Sequence, residues 1–340
     1  MSFDNKGLDT LFSAVSGMMI YPSLRLAVEL DIAGLLKDTP QSIERLAQQT
    51  GSHTDSLYRV LRMLAAVNIF DEIEPRVFKN NAASKLLLKG VSNSMHDYMA
   101  IDLHPERLRI AMDALSQAVR TGQPAFECAH GINYWQYLEQ NTEIRKSFDK
   151  DMEVIAGTFS DQILSEYDFS NFKQVADIGG GHGSLLISLL QTHPHLNGIL
   201  FDLPEVITQV SLINSPVMAR CQLQQGDFFL SIPQHCDVYL MRHILHNWAD
   251  EACIQILQNC RTASPNAKIL VIEHVILPEQ TNYYTLTMDF WMLLLFSEAK
   301  ERSVEEYKTL FQQAGYQLNR IIETNSPVSI LELLPNDLEG

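Results

Sequence analysis

The sequence predicts an α/β protein: a mostly parallel sheet covered by helices on both faces, its last strand antiparallel, behind a smaller α-helical unit that ends in a winged-helix pattern. Three observations predict this. After residue 170 short apolar runs alternate with helical stretches, as in a parallel sheet buried on both sides. The first of those runs leads straight into Gly179-Gly-Gly-His-Gly183, a strand-to-helix turn of a crevice-forming βαβ unit. At 340 residues the chain exceeds the usual size of one domain, so two are expected, 1–104 and 105–340.

Along the first unit, Leu24, Ala27, Val28, Ala33 and Leu35 give an early helix its apolar face, with Pro22 placed in its first turn. A short helix follows over 42–51, stopped by Gly51, and Thr54 is expected to cap a second helix carrying Leu57, Val60, Leu61 and Leu64. Residues 70–78 read as two strands about a turn, so the sum is helix, turn, helix, wing. Such a unit invites a DNA-binding reading. Residues 1–104 carry ten Lys or Arg against twelve Asp or Glu, a net of −2, and the second helix offers only Arg59 and Arg62. DNA binding wants a basic face, so a protein–protein role is expected instead.

The segment 105–165 reads as helices with apolar positions Trp135, Tyr137, Leu138, Phe148, Met152, Ile155 and Phe159, a stripe that ordinarily marks core. Strands are expected at 174–178, 198–202, 221–225, 236–241, 268–273, 316–323 and 328–334. Asn325-Ser-Pro327 makes a tight return between the last two, hence an antiparallel pair.

The formal charge of −16 excludes nucleic acid and an anionic membrane surface as main partners. Five cysteines without a C-x-x-C pair read as reduced thiols. The start lacks a basic stretch ahead of an apolar core, and Phe290–Phe296, taken as the most apolar short run, is far below the ~20 residues of a membrane span. A cytoplasmic enzyme is expected.

Ligands of open α/β sheets lie beyond the carboxyl ends of the strands. Gly179, Gly181 and Gly183 alternate, and Ser184 stands where a dinucleotide fingerprint needs its last glycine. The turn therefore suits an adenosine cofactor without a pyrophosphate, and S-adenosylmethionine is one. Asp177 would face its charged amino group, Asp202 its ribose hydroxyls, and Asp227 with Phe228 its adenine. Leu203 and Gly226 belong to the same rim, and Arg242 would lie near sugar and adenine, anchoring the loop or the carboxylate side of the site. His246 directly precedes Asn247, expected to cap the next helix with Asp250 three residues on, which puts the imidazole over the crevice. His243 makes a metal pair conceivable, but no third ligand follows at fitting spacing, so no metal is expected. Glu273 ends the next strand. Glu301 precedes the capping box Ser303/Glu306, and a carboxylate beside a histidine fixes its tautomer.

Taken together, Asp177-Ile-Gly-Gly-Gly-His-Gly183, Phe201-Asp-Leu-Pro204, Gly226-Asp-Phe228, Leu245-His-Asn-Trp-Ala-Asp-Glu251 and Lys300-Glu-Arg302 resemble the plant-type small-molecule O-methyltransferases, the group of the caffeic acid and hydroxyindole enzymes and many bacterial tailoring enzymes. The resemblance covers nearly the whole chain. It implies a Rossmann-like class I methyltransferase sheet over 105–340, a helical acceptor-pocket segment at 105–165, and a homodimer formed through 1–104. It also implies S-adenosylmethionine as donor with S-adenosylhomocysteine as product, and a small hydroxylated aromatic molecule as acceptor. His246 matches the general base, Glu273 and Glu301 the flanking acids. Phe148, Met152, Ile155, Asn247, Met292 and Phe296 match the acceptor side, and the region of Met19 reaches toward the partner's site. Asn247 stands where plant members have Asp, and Arg242 where they have Lys. The implied reaction is metal-free methyl transfer to an aromatic hydroxyl. Methylation at nitrogen, hydroxylation on the same fold, and a ligand-sensing winged-helix regulator stay open as alternatives.

Overall fold

A computed structural model describes residues 5–91, 94–102, 105–210, 216–277 and 282–336. The chain divides into two compact units, Met1–Leu103 and His104–Gly340.

In the first unit a 25-residue helix α1 (Asn5–Glu29) and a short α2 (Ile32–Leu35) precede β1 (Gln41–Ser42), α3 (Ile43–Thr50), α4 (Thr54–Ala66), β2 (Phe70–Glu74), β3 (Val77–Asn80), α5 (Ala82–Lys85) and α6 (His96–Ala100). Pro22 lies inside α1 rather than in its first turn. The carbonyl it deprives of a partner belongs to Met18, which is 80% exposed and can bond water. Ser42 caps α3, accepting from the Arg45 N–H, and Gly51 ends it at φ 65 in the left-handed region that glycine tolerates. Thr54 is the first helical residue of α4 and not its cap; His53 holds that position. The wing is antiparallel, in order β1-β3-β2. Ile32, Leu46, Leu61, Leu64 and Phe78 form the core of the unit.

One face of α1 is left bare: Leu8, Leu11, Phe12, Val15, Met18 and Met19 are all exposed. Gly7–Glu29, with a mean hydropathy of 1.4, is long and apolar enough to cross a membrane by length and composition. It outranks Phe290–Phe296 as the apolar stretch that needs an explanation.

The second unit opens with α7 (Glu106–Asp113), α8 (Leu115–Thr121), α9 (Ala125–His130), α10 (Tyr134–Gln140), α11 (Thr142–Gly157) and α12 (Ser160–Leu164). The alternating part follows as β4 (Gln174–Ile178), α13 (Ser184–Thr192), β5 (Asn197–Asp202), α14 (Pro204–Ile207), β6 (Cys221–Gln225), β7 (Val238–Arg242), α15 (Asp250–Ala263) and β8 (Lys268–Glu273). It closes with β9 (Val275–Ile276), α16 (Tyr283–Leu295), β10 (Arg302–Ser303), α17 (Val304–Gln313), β11 (Tyr316–Glu323) and β12 (Ser329–Pro335).

The large sheet runs β11-β12-β8-β7-β4-β5-β6, and β12 is antiparallel to both neighbours while the inner strands are parallel. Strand order reverses between β4 and β7, which opens a crevice at their carboxyl ends. Two apolar layers cover the sheet. One gathers Tyr239, Met241, Leu257 and Phe311, the other Leu189, Leu200, Leu240 and Leu270. Strands buried on both faces explain why the inner segments read as continuous apolar runs.

Leu240, wholly buried on β7 beside the switch point, reports on this core. Leu240→Ala should cost about 2–5 kcal/mol through lost burial and the cavity left behind. The measure is the catalytic unit's thermal unfolding transition, and an unshifted transition would contradict the packing described.

Candidate active site

Beyond β4 the chain turns at Gly179, φ 67, where a Cβ would fall 2.5 Å from Ile244 Cδ1. At Gly181, φ 57, a side-chain carbon would meet only open space. The turn thus shows bare backbone to the crevice. Asp202, at the end of β5, holds it: Oδ2 accepts the Gly181 N–H at 2.8 Å and Oδ1 the Leu203 N–H at 2.7 Å. Burial raises the Asp202 pKa against those two hydrogen bonds. Gly226 is packed so closely on Phe201 that a Cβ would lie 2.5 Å from its ring. Asp227 accepts the Phe229 N–H at 2.8 Å, while Phe228 reaches the edge of Gly179 and forms an edge-to-face cluster with Phe229 and Trp248.

Asp177 and Arg242 lie at the carboxyl ends of β4 and β7. Asp177 is 1% exposed and tucked under Gly180, whose Cβ would meet its Oδ2 at 2.6 Å. Burial first, and the like charge of Asp202 second, push its carboxyl up to about 7. It packs closely against the turn. Arg242 donates to Ser160 Oγ at 3.1 Å and to the Thr158 carbonyl at 2.6 Å, fastening the turn before α12 to β7. Of the two places considered for it, the structure selects the loop anchor. Burial lowers its pKa to about 10 despite the opposing pull of Asp177.

His246 sits in a single 3₁₀ turn, Leu245–Asn247, after β7. Asn247 does not cap the next helix. Its side chain donates back to the His243 carbonyl at 2.9 Å, and α15 starts at Asp250 behind Ala249. The imidazole is 5% exposed, and its Nδ1–H donates to Glu301 Oε1 at 2.8 Å. In the neutral ring that bond puts the lone pair on Nε2, the tautomer a proton acceptor needs.

Glu273 does a different job from Glu301. Its Oε1 accepts the N–H groups of Ile244 and Leu245 at 3.0 and 2.9 Å and is 3.4 Å from that of His246. Its Oε2 stays 3.8 Å from the His246 ring. Burial works against charge on His246, yet Glu273 and Glu301 outweigh it and raise the ring to about 9. The charged ring in turn holds Glu273 low against its own burial, whereas burial still raises Glu301.

Local spacing offered no third metal ligand, but the fold supplies one: atoms of His243, His246 and Glu273 lie within 4.8 Å of one another. Of those atoms, the His246 Nδ1 is committed to Glu301, while His243 Nδ1 and Glu273 Oε2 lack a hydrogen-bond partner.

Of the residues expected to line the acceptor pocket, Phe148 of α11 and Phe296 after α16 are brought together by Tyr134 and Trp135. Phe296 stacks on Trp135 at 5.2 Å, and Phe148 meets Tyr134 edge-on at 5.7 Å. Met292 is buried on α16, one turn beyond Asp289, whose carboxylate accepts the Glu301 N–H at 3.0 Å. Helix α16 therefore joins the aromatic cluster to the acid behind His246. Met152 and Ile155 lie on α11 outside that cluster of rings, the former 38% exposed. The sequence reading missed Tyr134 and Asp289. The aromatic run Tyr134-Trp135 was a usable signal for the first; no local signal marks the second.

Residues 112–317 match the O-methyltransferase domain, and residues 12–90 the O-methyltransferase dimerisation domain. The chain belongs to the O-methyltransferase family. The phenazine O-methyltransferase PhzM of Lysobacter antibioticus is 38% identical over 328 residues, covering 96% of this chain and 95% of that one. The mitomycin biosynthesis 6-O-methyltransferase of Streptomyces lavendulae is 34% identical over 330 residues, covering 96% and 94%. Among solved structures, CalO1, a methyltransferase of calicheamicin biosynthesis in its SAH-bound form, superposes with a TM-score of 0.87 at 29% identity, covering 98% of this chain and 100% of that one. The chain is thus an S-adenosylmethionine-dependent O-methyltransferase. The bare backbone at Gly181 and the two-oxygen grip of Asp202 fit an adenosyl cofactor seated on the turn.

Asp202→Ala frees the Gly181 and Leu203 N–H groups and removes the acid at the rim. S-adenosylhomocysteine affinity, measured by titration calorimetry, should fall by about 10–100-fold, the loss of one or two charge-assisted hydrogen bonds. Undiminished affinity would refute the placement of the cofactor at this turn.

Proposed function

We propose that this O-methyltransferase acts on a hydroxyl of a small, flat aromatic molecule, with His246 as general base and without a metal ion. The observation that carries the reading is the 2.8 Å bond from His246 Nδ1 to Glu301, which presents Nε2 as the acceptor atom. The phenazine and mitomycin enzymes among the relatives act on compact ring systems, and the Tyr134, Trp135, Phe148 and Phe296 rings suit such an acceptor.

S-adenosylmethionine, when bound, supplies an electrophilic methyl on sulfonium; Gly179, Gly181, Asp202, Leu203, Gly226, Asp227 and Phe228 would hold it. What the protein adds is alignment, worth up to ~7–11 kcal/mol for a well-oriented pair, and a place for the proton. A phenol near pKa ~10 faces a ring raised to about 9, so the transfer is close to balanced and needs no Lewis acid. As the proton moves to Nε2, Glu301 takes the growing positive charge through Nδ1–H. Glu273 contributes its field and holds the backbone.

The exposed apolar face of α1, of which Phe12, Val15, Met18 and Met19 fall in the dimerisation region 12–90, is read as the surface a second copy covers. Four of the five cysteines are buried and all are free, in keeping with a cytoplasmic setting.

Three outcomes are expected. His246→Ala should keep S-adenosylhomocysteine affinity while kcat with a hydroxyphenazine acceptor falls by about 10²–10⁴-fold, the usual worth of a general base; wild-type turnover across pH would remove the assignment. Because the base must be neutral, kcat/KM should rise with pH and level off near about 9, and Glu301→Gln should move that inflection downward. An inflection that stays put in the variant would show that Glu301 does not govern the ring. Finally, Phe12→Glu paired with Val15→Glu should convert a dimer into a monomer by light scattering, and a retained dimer would place the interface elsewhere.

A further inference from the structure

The turn Ile244–Trp248 carries the base and closes two hydrogen bonds of its own, from the Asn247 N–H to the Ile244 carbonyl and from the Trp248 N–H to the Leu245 carbonyl, both 3.2 Å, so its other polar backbone groups must be satisfied from outside. The N–H groups of Ile244 and Leu245 go to Glu273. The turn's carbonyls go the other way. Arg302, 0% exposed, donates from Nη1 to the Leu245 carbonyl at 3.0 Å and from Nη2 to the Trp248 carbonyl at 2.7 Å. The same guanidinium is held by Asp250 Oδ1, at 2.9 Å from Nε and 2.7 Å from Nη2. The Lys300 N–H adds a bond to the His246 carbonyl at 3.0 Å, and Arg302 itself is pinned by β10 pairing with β9. The two carbonyls that Arg302 grips flank residue 246.

We propose that Arg302 is a positioning residue of the methyl transfer: its planar fork fixes the carbonyls on either side of His246 and so sets the direction of the imidazole relative to Glu301 and the acceptor oxygen. A guanidinium can reach two carbonyls and a carboxylate at once in a fixed geometry, which an ammonium cannot, so Lys is not an equivalent. This rests on the assignment of His246 as base, and misplacing a catalytic group by about 1 Å costs on the order of 10²-fold.

The test is a double-mutant cycle on the full chain, using Arg302→Lys, His246→Ala and the pair, with a hydroxyphenazine as acceptor. Arg302→Lys should lower kcat by about 10–100-fold while the S-adenosylhomocysteine dissociation constant stays within about twofold. In the His246→Ala background the same change should add almost nothing, because Arg302 acts through the ring. Equal losses in both backgrounds, or a loss of cofactor affinity matching the loss of kcat, would reduce Arg302 to a folding residue and overturn the proposal. Unchanged kcat in Arg302→Lys would overturn it as well. If His246→Ala alone keeps full activity, the base assignment fails, not the clamp. The clamp is then judged by nitrogen-15 NMR of the His246 ring, where Arg302→Lys should weaken the Nδ1–H bond to Glu301, and an unaltered signal would reject it.

Discussion

The site depends on how one turn of irregular backbone is made to sit still. Ile244–Trp248 closes two hydrogen bonds of its own and leaves its other backbone groups without a strand or helix partner, and buried backbone groups left alone cost about 1–3 kcal/mol each. The protein resolves this with two buried charges of opposite sign. Glu273 reaches up from the end of β8 to collect N–H groups, and Arg302 reaches across from β10 to collect carbonyls. Each charge is bonded on the side facing the turn, and Arg302 also has Asp250 behind it. The pair of clamps fixes both faces of the peptide chain that carries His246.

This division of labour changes how the two carboxylates are understood. Two acids flanking a histidine suggest two similar roles. Only Glu301 meets the ring at hydrogen-bond distance; Glu273 is at 3.8 Å and is occupied with the backbone. Its charge still raises the imidazole, since Coulomb attraction at that distance persists in a poorly solvated site. A local positioning device thus doubles as a field that raises the imidazole.

Much of this was legible along the chain. The seven strands of the large sheet fall within two residues of their expected ends; the inner ones, buried on both faces, are largely apolar, the edge strands β6 and β11 are not, and β12 turns antiparallel after the expected Asn325-Ser-Pro327 return. The Ser303/Glu306 capping box forms as read. Illegible features share a cause: they depend on which way a side chain points in three dimensions. Asp177 and Arg242 lie at the strand ends where they were expected, but one packs closely against the glycine turn and the other is spent on Thr158 and Ser160. Helix ends misled in the same manner, since Thr54 and Asn247 are good caps by residue type and neither serves as one. Arg302 finds its carbonyls more than fifty positions away, beyond any local pattern.

The histidine cluster shows why a single residue titrates in the useful range. His243 packs 5.3 Å from His246, and His274 stacks on His243 at 5.2 Å. Three imidazoles this close repel one another when charged, so a proton on one disfavours protons on the rest. Burial is the largest influence on all three, and it leaves His243 at about 4 and His274 at about 3. His246 escapes because it alone has a carboxylate on its Nδ1–H and a second one within reach. The neutral neighbours then supply ring surface and no charge. The ring that two carboxylates face is thus also the one whose backbone the two clamps hold.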